Sequence, residues 1–424
     1  MMSEYPHVFR VRQSFERPRV DDVPAEVERQ LASLSLAEQI RPGQTVAITA
    51  GSRGIANLAV ILRAVVDHFR RLGAQPLLIP AMGSHGGGTA QGQRELLRAY
   101  QVTEPFCGCP VQSSMETVVV CQAIEGFPVH FDRYAYQADH VVVCGRVKPH
   151  TNFTGEIESG LMKMLLIGLG KHEGAKIYHR AIKDYSFDQI VRSVANEVLA
   201  RCSILAGLAI VENGYDETAA IEAVRPQDFA TREKALLSQA RLWMPRLPFD
   251  RADLLLIDRI GKDISGTGMD TNLVGRKFGI HEAAENEWPK IRYIAVRGLT
   301  EATRGNATGV GLAEFCLSRV LEQRDDPITR INCLTGGHGI AAMTPLDYPT
   351  DRQMLDAALP TIGLTDPQDA KCIWIRDTLH VGQLECSAAY WAAAQDRPDL
   401  EILCTPRPLP LDSDGNLPHC CTDW

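Results

Sequence analysis

His140–His150, HVVVCGRVKPH, is the stretch that best indicates how this chain folds. It begins as a short buried strand and ends in a turn that carries a proline and a histidine. Similar runs rich in Val, Ile and Leu occur at Thr45–Thr49, Gln75–Pro80 and Leu205–Val211, and helical patterns separate them. This alternation is typical of a parallel α/β sheet that is buried on both faces.

The pattern restarts after a proline-bearing segment, Met244–Asp250, that has the composition of a linker. Because 424 residues exceed one ordinary hydrophobic core, two domains are expected. We predict two α/β domains with mostly parallel sheets, residues 1–247 and 248–424, and an interdomain active-site cleft. The strands predicted in the second domain are Asp253–Ile257, Arg292–Val296, Arg330–Leu334 and Lys371–Ile375.

Composition narrows the classes of protein. The chain is 45% hydrophobic and 23% charged, as in globular proteins, and its net charge is -8. The negative charge argues against nucleic acid as the main partner, because phosphate binding needs a basic face. No apolar run approaches ~20 residues and no signal peptide is read at the start, so we expect neither a membrane span nor export. Twelve cysteines without an export signal predict reduced thiols in the cytoplasm.

Three polar groups follow predicted strands directly. Arg53 lies in AGSRG, His85 in AMGSHGGG and His150 in VKPH. Because the carboxyl ends of parallel strands line one edge of a sheet, where ligands bind, we expect these groups to share one crevice. Each has an ordinary alternative, as a helix-start arginine or a solvated loop histidine, so the interpretation depends on all three together.

Lys163 lies in an apolar, glycine-punctuated stretch, GLMKMLLIGLG, and two interpretations of it stay open. Its amine could reach the surface along a helix, or it could be desolvated for covalent chemistry. His85, His150 and His179 could also form a three-histidine zinc site. His172 competes for each of these histidine roles.

These motifs together resemble the nickel-dependent lactate racemases and their homologues, which use a nickel-pincer nucleotide. The arginine that follows their first strand resembles Arg53. Their two acid/base histidines, in an AxGxH loop and a V-x-P-H motif, correspond to His85 and His150. Their cofactor-carrying lysine corresponds to Lys163, and their nickel-ligating histidine, sixteen residues later, corresponds to His179.

The resemblance implies an isomerase, a 2-hydroxyacid racemase or epimerase. It would invert the carbinol carbon of an α-hydroxy acid by reversible hydride transfer to nickel pyridinium-3,5-bisthiocarboxylic acid mononucleotide tethered to Lys163. The nickel contacts would be Lys163 and His179, and Ser52 and Arg53 would complete the cofactor site. The first domain would hold this cofactor, the second would close over the substrate, and the enzymes that make the cofactor would be partners.

The chain also departs from the lactate-specific pattern. Ala50–Arg53 reads AGSR where those members have Asp-His-Thr-Arg. In the second domain, Asp270–Lys277 (DTNLVGRK) stands where they have Asp-Gln-Asn-Leu followed by a carboxylate-binding lysine. Arg276 and Lys277 are therefore candidates, beside Arg53, for binding the substrate carboxylate. These changes imply a substrate other than lactate.

Other classes remain open. A zinc-dependent hydrolase or lyase could use the same histidines, and a non-enzymatic small-molecule binding or sensor protein could keep the fold without the cofactor. A classical NAD(P)-dependent oxidoreductase is disfavoured, because no GxGxxG motif follows a predicted strand.

Overall fold

The computed structural model describes residues 5–52, 54–278 and 281–422. These residues form two compact units, residues 16–244 and residues 1–15 with 245–424. Within the part of the chain described, no helix is both long enough and apolar enough to span a membrane.

The strands and helices have the following bounds. The strands are β1 (Val8–Gln13), β2 (Thr45–Ala50), β3 (Gln75–Pro80), β4 (Thr117–Gln122), β5 (Pro128–Asp132), β6 (His140–Arg146), β7 (Ile204–Glu212), β8 (Thr218–Val224), β9 (Arg251–Ile257), β10 (Lys290–Val296), β11 (Phe315–Leu317), β12 (Leu346–Tyr348), β13 (Cys372–Ile375), β14 (Gln383–Ser387) and β15 (Leu400–Ile402). The α-helices are α1 (Val23–Ala32), α2 (Leu58–Arg71), α3 (Ala90–Ala99), α4 (Glu104–Cys107), α5 (Arg133–Gln137), α6 (Leu161–Lys163), α7 (Lys171–Ala181), α8 (Phe187–Arg201), α9 (Phe229–Trp243), α10 (Thr271–Val274), α11 (Ser318–Glu322), α12 (Asp326–Thr335), α13 (Asp351–Ala358) and α14 (Trp391–Gln395).

The unit of residues 16–244 is built on a five-stranded sheet in the order β3-β2-β6-β7-β8. The first four strands are parallel and β8 is antiparallel to β7. Alternate side chains of β2 enter two separate cores: Val46 and Ile48 pack with α1 and α2, whereas Ala47 packs on the face covered by α8 and α9. Burial on both faces explains why these strands read as continuous apolar runs.

The other unit contains an eight-stranded sheet in the order β12-β11-β10-β9-β13-β14-β1-β15. The strands from β12 to β13 are parallel, and β14, β1 and β15 complete the sheet in antiparallel pairs. Both units are thus α/β, with mostly parallel sheets, as the sequence predicts. The interdomain cleft stays a prediction.

Two details of the sequence-based prediction are wrong. Residues 8–13 fall within the predicted domain of residues 1–247, but they form β1, which pairs with β14 and β15 in the other unit. Arg330–Leu334 is helical instead of a strand, because it lies within α12. The Asp325 side chain caps that helix by accepting from the Ile328 N–H, and Pro327 occupies its first turn.

Part of the proline-rich C-terminal segment is held in place by buried charged side chains. Arg297, only 1% exposed, pairs with Asp258 and Asp351. The carbonyl of Leu417 accepts from Arg297, and the Cys420 N–H donates to Asp258 at 2.6 Å. Buried charged side chains therefore hold this segment against the sheet.

Candidate active site

The strand order places the predicted polar loops side by side. β3, β2 and β6 are neighbours and run parallel, so the loops after their carboxyl ends lie at one edge of the sheet. These loops carry His85, Ser52 and His150, in that spatial order. Arg53, in the same loop as Ser52, lies outside the described residues.

A hydrogen bond links the first two loops. The Ser52 hydroxyl contacts Nδ1 of His85, and the Tyr100 hydroxyl donates to the Ser52 carbonyl at 2.8 Å. Behind His85, the Gln93 side-chain amide donates to the carbonyls of Gly83 and His85. His85 is thus held through both its ring and its backbone, and a hydroxyl partner is compatible with either tautomer of the ring.

His150 is fixed by its own turn. Its Nδ1 accepts hydrogen bonds from the backbone N–H groups of Asn152, at 3.0 Å, and Phe153, at 3.1 Å. Its own N–H donates at 2.8 Å to Glu158, a 2% exposed carboxylate that also pairs with Arg241 of α9. Because Nδ1 is an acceptor here, the neutral ring carries its proton on Nε2.

Phe153 is the centre around which the predicted residues meet. Its ring stacks on His150, with centroids 4.3 Å apart, and on Phe187 at 4.0 Å. The Lys163 amine lies over the same ring, 5.0 Å from its centroid, and the His179 ring lies 6.1 Å away. Three of the predicted residues, from a turn and two helices, therefore converge on one aromatic side chain.

Lys163 ends α6 and leads into a π-helical turn, Met164–Gly168. Such turns are rare and are found often at functional sites. The turn packs closely on the loop of His85: a Cβ built on Gly83, whose φ is +58°, would lie 2.9 Å from Cγ2 of Ile167. Only glycine avoids both the collision and the left-handed strain at that position.

His179 lies on α7 with its Nδ1 buried and, among the described residues, without a hydrogen-bond partner. Burial lowers the pKa of His179, and the charges of Lys163 and Lys183 act in the same direction. The ring is therefore neutral at pH 7, which is the form that binds a metal. A buried nitrogen with no protein partner is the kind of atom that a ligand would satisfy.

His172 lies seven residues before His179 and therefore on the same face of α7. Its ring packs against the glycine-rich loop of His85, because a Cβ built on Gly88 would lie 3.3 Å from Nδ1 of His172. That nitrogen is also buried without a partner among the residues described. His172 is thus near the site, as the competition foreseen from the sequence suggests.

Across residues 5–52, 54–278 and 281–422, no three His, Cys, Asp or Glu side chains are placed so that they could hold a metal ion. His85, His150 and His179 therefore do not form the three-histidine zinc site considered from the sequence. A metal that arrives inside an organic ligand needs fewer donors from the protein, so the arrangement fits such a cofactor better.

Sequence reasoning missed Lys171, a buried residue that connects two elements of the site. It is fully buried, pairs with the equally buried Asp132 at 2.9 Å, and donates to the Pro80 carbonyl at the end of β3. It starts α7 with a φ of +54°. It thus joins β3, the strand before the His85 loop, to α7, the helix of His179. A contact between residues so distant in sequence cannot be predicted from the local pattern.

The candidate residues of the C-terminal unit lie elsewhere on their own sheet. Asp270 caps α10 near the carboxyl end of β13, where its N–H donates to Thr378. Arg276, 1% exposed, lies beside the amino-terminal half of β10 and donates to the Arg292 carbonyl and to Glu314. Lys277 is half-buried, with its N–H on Glu287. A carboxylate-binding role for Arg276 or Lys277 stays a prediction.

Comparisons with known proteins show what the chain is similar to in sequence and in fold. Residues 7–188 match the family of the lactate racemase N-terminal domain. The lactate racemase apoprotein from Thermoanaerobacterium thermosaccharolyticum has the same fold, with a TM-score of 0.55 and 14% identity over 87% of this chain and 94% of that one. A Thermotoga maritima protein from a structural genomics consortium gives a TM-score of 0.49, with 10% identity over 67% and 72%. No curated protein sequence matches significantly.

Fold and loops together define an α/β protein whose polar residues gather at the carboxyl edge of a parallel sheet. Residues 7–188 are similar to the lactate racemase N-terminal domain, and over most of its length the chain shares the fold of a lactate racemase apoprotein.

Proposed function

We propose that this chain is an isomerase, a racemase or epimerase of an α-hydroxy acid that works with a lysine-tethered nickel-pincer nucleotide. The observation that carries the proposal is the convergence of His150, Lys163 and His179 on Phe153, with His85 on a neighbouring loop. The similarity of residues 7–188 to the lactate racemase N-terminal domain supports the same reaction class.

The residues present fit the cofactor. Lys163 supplies a half-buried amine for the covalent link, and the neutral His179, whose Nδ1 has no hydrogen-bond partner among the described residues, supplies a nickel donor. Ser52 and Arg53 would complete the site from the loop after β2. When bound, the nucleotide supplies an acceptor for the substrate's hydride, which avoids removal of a carbinol proton that is not acidic at neutral pH.

The two histidines would handle the hydroxyl proton in different ways. His85, paired at Nδ1 with Ser52, can present the Nε2 lone pair and accept the proton from the substrate hydroxyl. His150, whose Nδ1 accepts from two backbone N–H groups, presents Nε2–H and would donate a hydrogen bond to the substrate oxygen without transferring the proton. For His150 to act as the base in the opposite direction, the Asn152–Phe153 turn must release Nδ1.

Substrate binding would need a cation for the carboxylate. Arg53, with a planar guanidinium that can bind a carboxylate through two hydrogen bonds, is our first candidate. Arg276 and Lys277 would act from the C-terminal unit. The AGSR loop and the DTNLVGRK segment differ from the lactate-specific pattern, so we propose an α-hydroxy acid other than lactate, such as a sugar acid or a hydroxy dicarboxylate.

The decisive experiment is mass spectrometry of protein co-produced with the enzymes that make the cofactor, with nickel assayed on the same sample. We expect a mass addition on the Lys163 peptide, stoichiometric nickel, and loss of both in Lys163→Ala. The matched control is Lys176→Ala, which changes a half-exposed lysine on α7 that pairs with Glu173. An unmodified Lys163 without nickel would contradict the proposal and favour a small-molecule binding or sensor protein.

A further inference from the structure

Glu233 is a buried carboxyl group that lies at the start of the helix carrying Lys163. It projects from α9 and is 1% exposed. Its Oε2 accepts a hydrogen bond from the Met162 N–H at 3.0 Å, one residue before Lys163. The Leu161 N–H also interacts with this carboxyl group. A residue seventy positions further along the chain therefore holds the first turn of α6.

Gly160 leaves the space that the carboxyl group fills. Its φ is +84°, and a Cβ built on it would lie 2.8 Å from Cδ of Glu233. Any side chain at residue 160 would displace the carboxyl group and strain the backbone. Backbone and carboxyl group are thus fitted to one another at the point where the chain turns into α6.

The residue at the cap position of α6 is a glycine. Gly160 contributes no side-chain hydrogen bond, so the first N–H groups of α6 depend on a partner from elsewhere. A helix of three residues that continues into a π-helical turn gains little stability from its own hydrogen bonds. Its position is therefore set by tertiary contacts, and Glu233 supplies the polar one.

The same helix, α9, also supports the His150 turn. Arg241, two turns after Glu233, pairs with Glu158, and Glu158 accepts from the His150 N–H. One helix outside the matched residues 7–188 thus holds two candidate catalytic elements by their backbones.

The carboxyl group is costly to keep at this place. Burial raises the pKa of Glu233 to about 8, although the N–H groups of Met162 and Leu161 act in the opposite direction. Its Oε1 has no hydrogen-bond partner among the described residues. An apolar side chain would fill the same space without this penalty, so the acceptor itself is the feature that requires explanation.

We infer that Glu233 is the positioning residue for Lys163: it fixes the first turn of α6 so that the amine lies beside Phe153. The reason for such a positioning residue rests on the function proposed above, because the first turn of α6 needs a defined position only if Lys163 carries the cofactor. The inference itself concerns the chain alone.

The test measures the reactivity of Lys163 without cofactor. The apoprotein is acylated with an amine-specific ester, and the labelling rate of Lys163 is divided by that of Lys176 in the same digest. Glu233→Leu keeps the volume and removes the acceptor, whereas Glu233→Gln keeps a carbonyl acceptor. Glu197→Leu, at a surface glutamate of α8, is the matched control.

We expect the ratio in Glu233→Leu to change by roughly fivefold, the factor that corresponds to about one net hydrogen bond. Glu233→Gln and Glu197→Leu should stay within about twofold of the wild type, well short of a full hydrogen bond. An unchanged ratio in folded Glu233→Leu, or an equal change in Glu233→Gln, would overturn the inference. Because no cofactor is involved, this result is independent of whether the nickel assignment holds.

A second measurement keeps the test decisive if Glu233→Leu does not fold. Glu233→Asp withdraws the carboxyl group by one methylene, and hydrogen exchange of a peptide spanning residues 160–165 reports on the Met162 N–H. We expect faster exchange there in Glu233→Asp than in Glu233→Gln, with no difference in α2. Equal protection in both variants would show that the carboxyl group does not hold this turn.

Discussion

At the scale of single residues, Glu233 should control part of the pH dependence of stability. Its pKa of about 8 in the folded chain lies above the ordinary value of 4.5. As pH rises, the unfolded chain releases this proton first, so stability that is present below about pH 4.5 is lost on the way to about pH 8.

The prediction compares the wild type with Glu233→Gln by urea unfolding at pH 5, 6.5 and 8. The amide does not titrate. The free energy of unfolding of the wild type, relative to that of the variant, should therefore fall as pH rises, by roughly a few kcal/mol in total. A difference between the two proteins that stays constant from pH 5 to 8 would show that Glu233 is ionised normally.

A second residue-scale prediction concerns the tautomer of His150. Two backbone N–H groups face its Nδ1, so the neutral ring should carry hydrogen on Nε2. Nitrogen-15 NMR of the imidazoles, assigned with His150→Gln, should give Nδ1 the chemical shift of an unprotonated nitrogen. A proton on Nδ1 in the neutral ring would contradict the described turn and remove the asymmetry proposed between His85 and His150.

A third concerns the two histidines of α7. In cofactor-loaded protein, His179→Ala should lose most of its nickel, measured by elemental analysis. His172→Ala is the control, because it alters the same helix face seven residues earlier. Since burial already keeps His179 neutral near pH 7, retention of nickel by the wild type should decline only at acidic pH. Equal nickel loss in both variants would reassign the ligand.

Sequence alone identified candidate residues where the residue type is unusual for its neighbouring sequence. Lys163 and His150 were found because a lysine in an apolar run and a histidine after a strand are unusual. Lys171 and Glu233 were not found, since their partners, Pro80 and Met162, lie far away in the sequence. A buried polar group becomes recognisable only when its tertiary partner is known.

At the scale of elements, the buried Lys171–Asp132 pair joins α7 to the ends of β3 and β5. Lys171→Met or Asp132→Asn alone should destabilise the chain by about 3–5 kcal/mol, because each leaves a buried charge without a partner. The double variant should recover much of that loss. A double-mutant cycle by urea unfolding tests this, and losses that simply add would argue against coupling.

Element boundaries were predictable where the periodicity is strong, and less so where capping decides. β3 has the predicted bounds, Gln75–Pro80, because its apolar run is bounded by polar or glycine-rich residues. The segment at Arg330–Leu334 was mistaken for a strand since its short apolar pattern fits either period. The Asp325 cap and Pro327 just before it were the signals that favoured a helix.

At the scale of the whole molecule, β1 lies between β14 and β15 in the sheet of the C-terminal unit. Deleting residues 1–13 should therefore expose residues 245–422 to limited proteolysis, while residues 16–244 stay resistant. A synthetic peptide of residues 5–15, added in excess, should restore resistance, and a peptide with Val11→Asp should not, because Val11 is fully buried. Unchanged proteolysis after the deletion would refute this arrangement.

The mostly parallel α/β architecture could be predicted because its strands are buried on both faces and therefore read as apolar runs. The partner of β1 could not, because Val8–Gln13 is short, contains two arginines and lacks the continuous apolar run of the other buried strands. Nothing local tells which of two sheets such a strand joins. That choice is made by contacts distant in sequence.

The place of β1 also has a consequence in time. During synthesis β1 leaves the ribosome before the other strands, but its neighbours in the sheet, β14 and β15, are the last strands to emerge. Residues 16–244 contain all the strands of their five-stranded sheet and can fold while β1 has no strand to pair with. An unpaired strand is open to wrong pairing during that interval. We therefore expect the yield of native protein to depend on how β1 is shielded until translation ends.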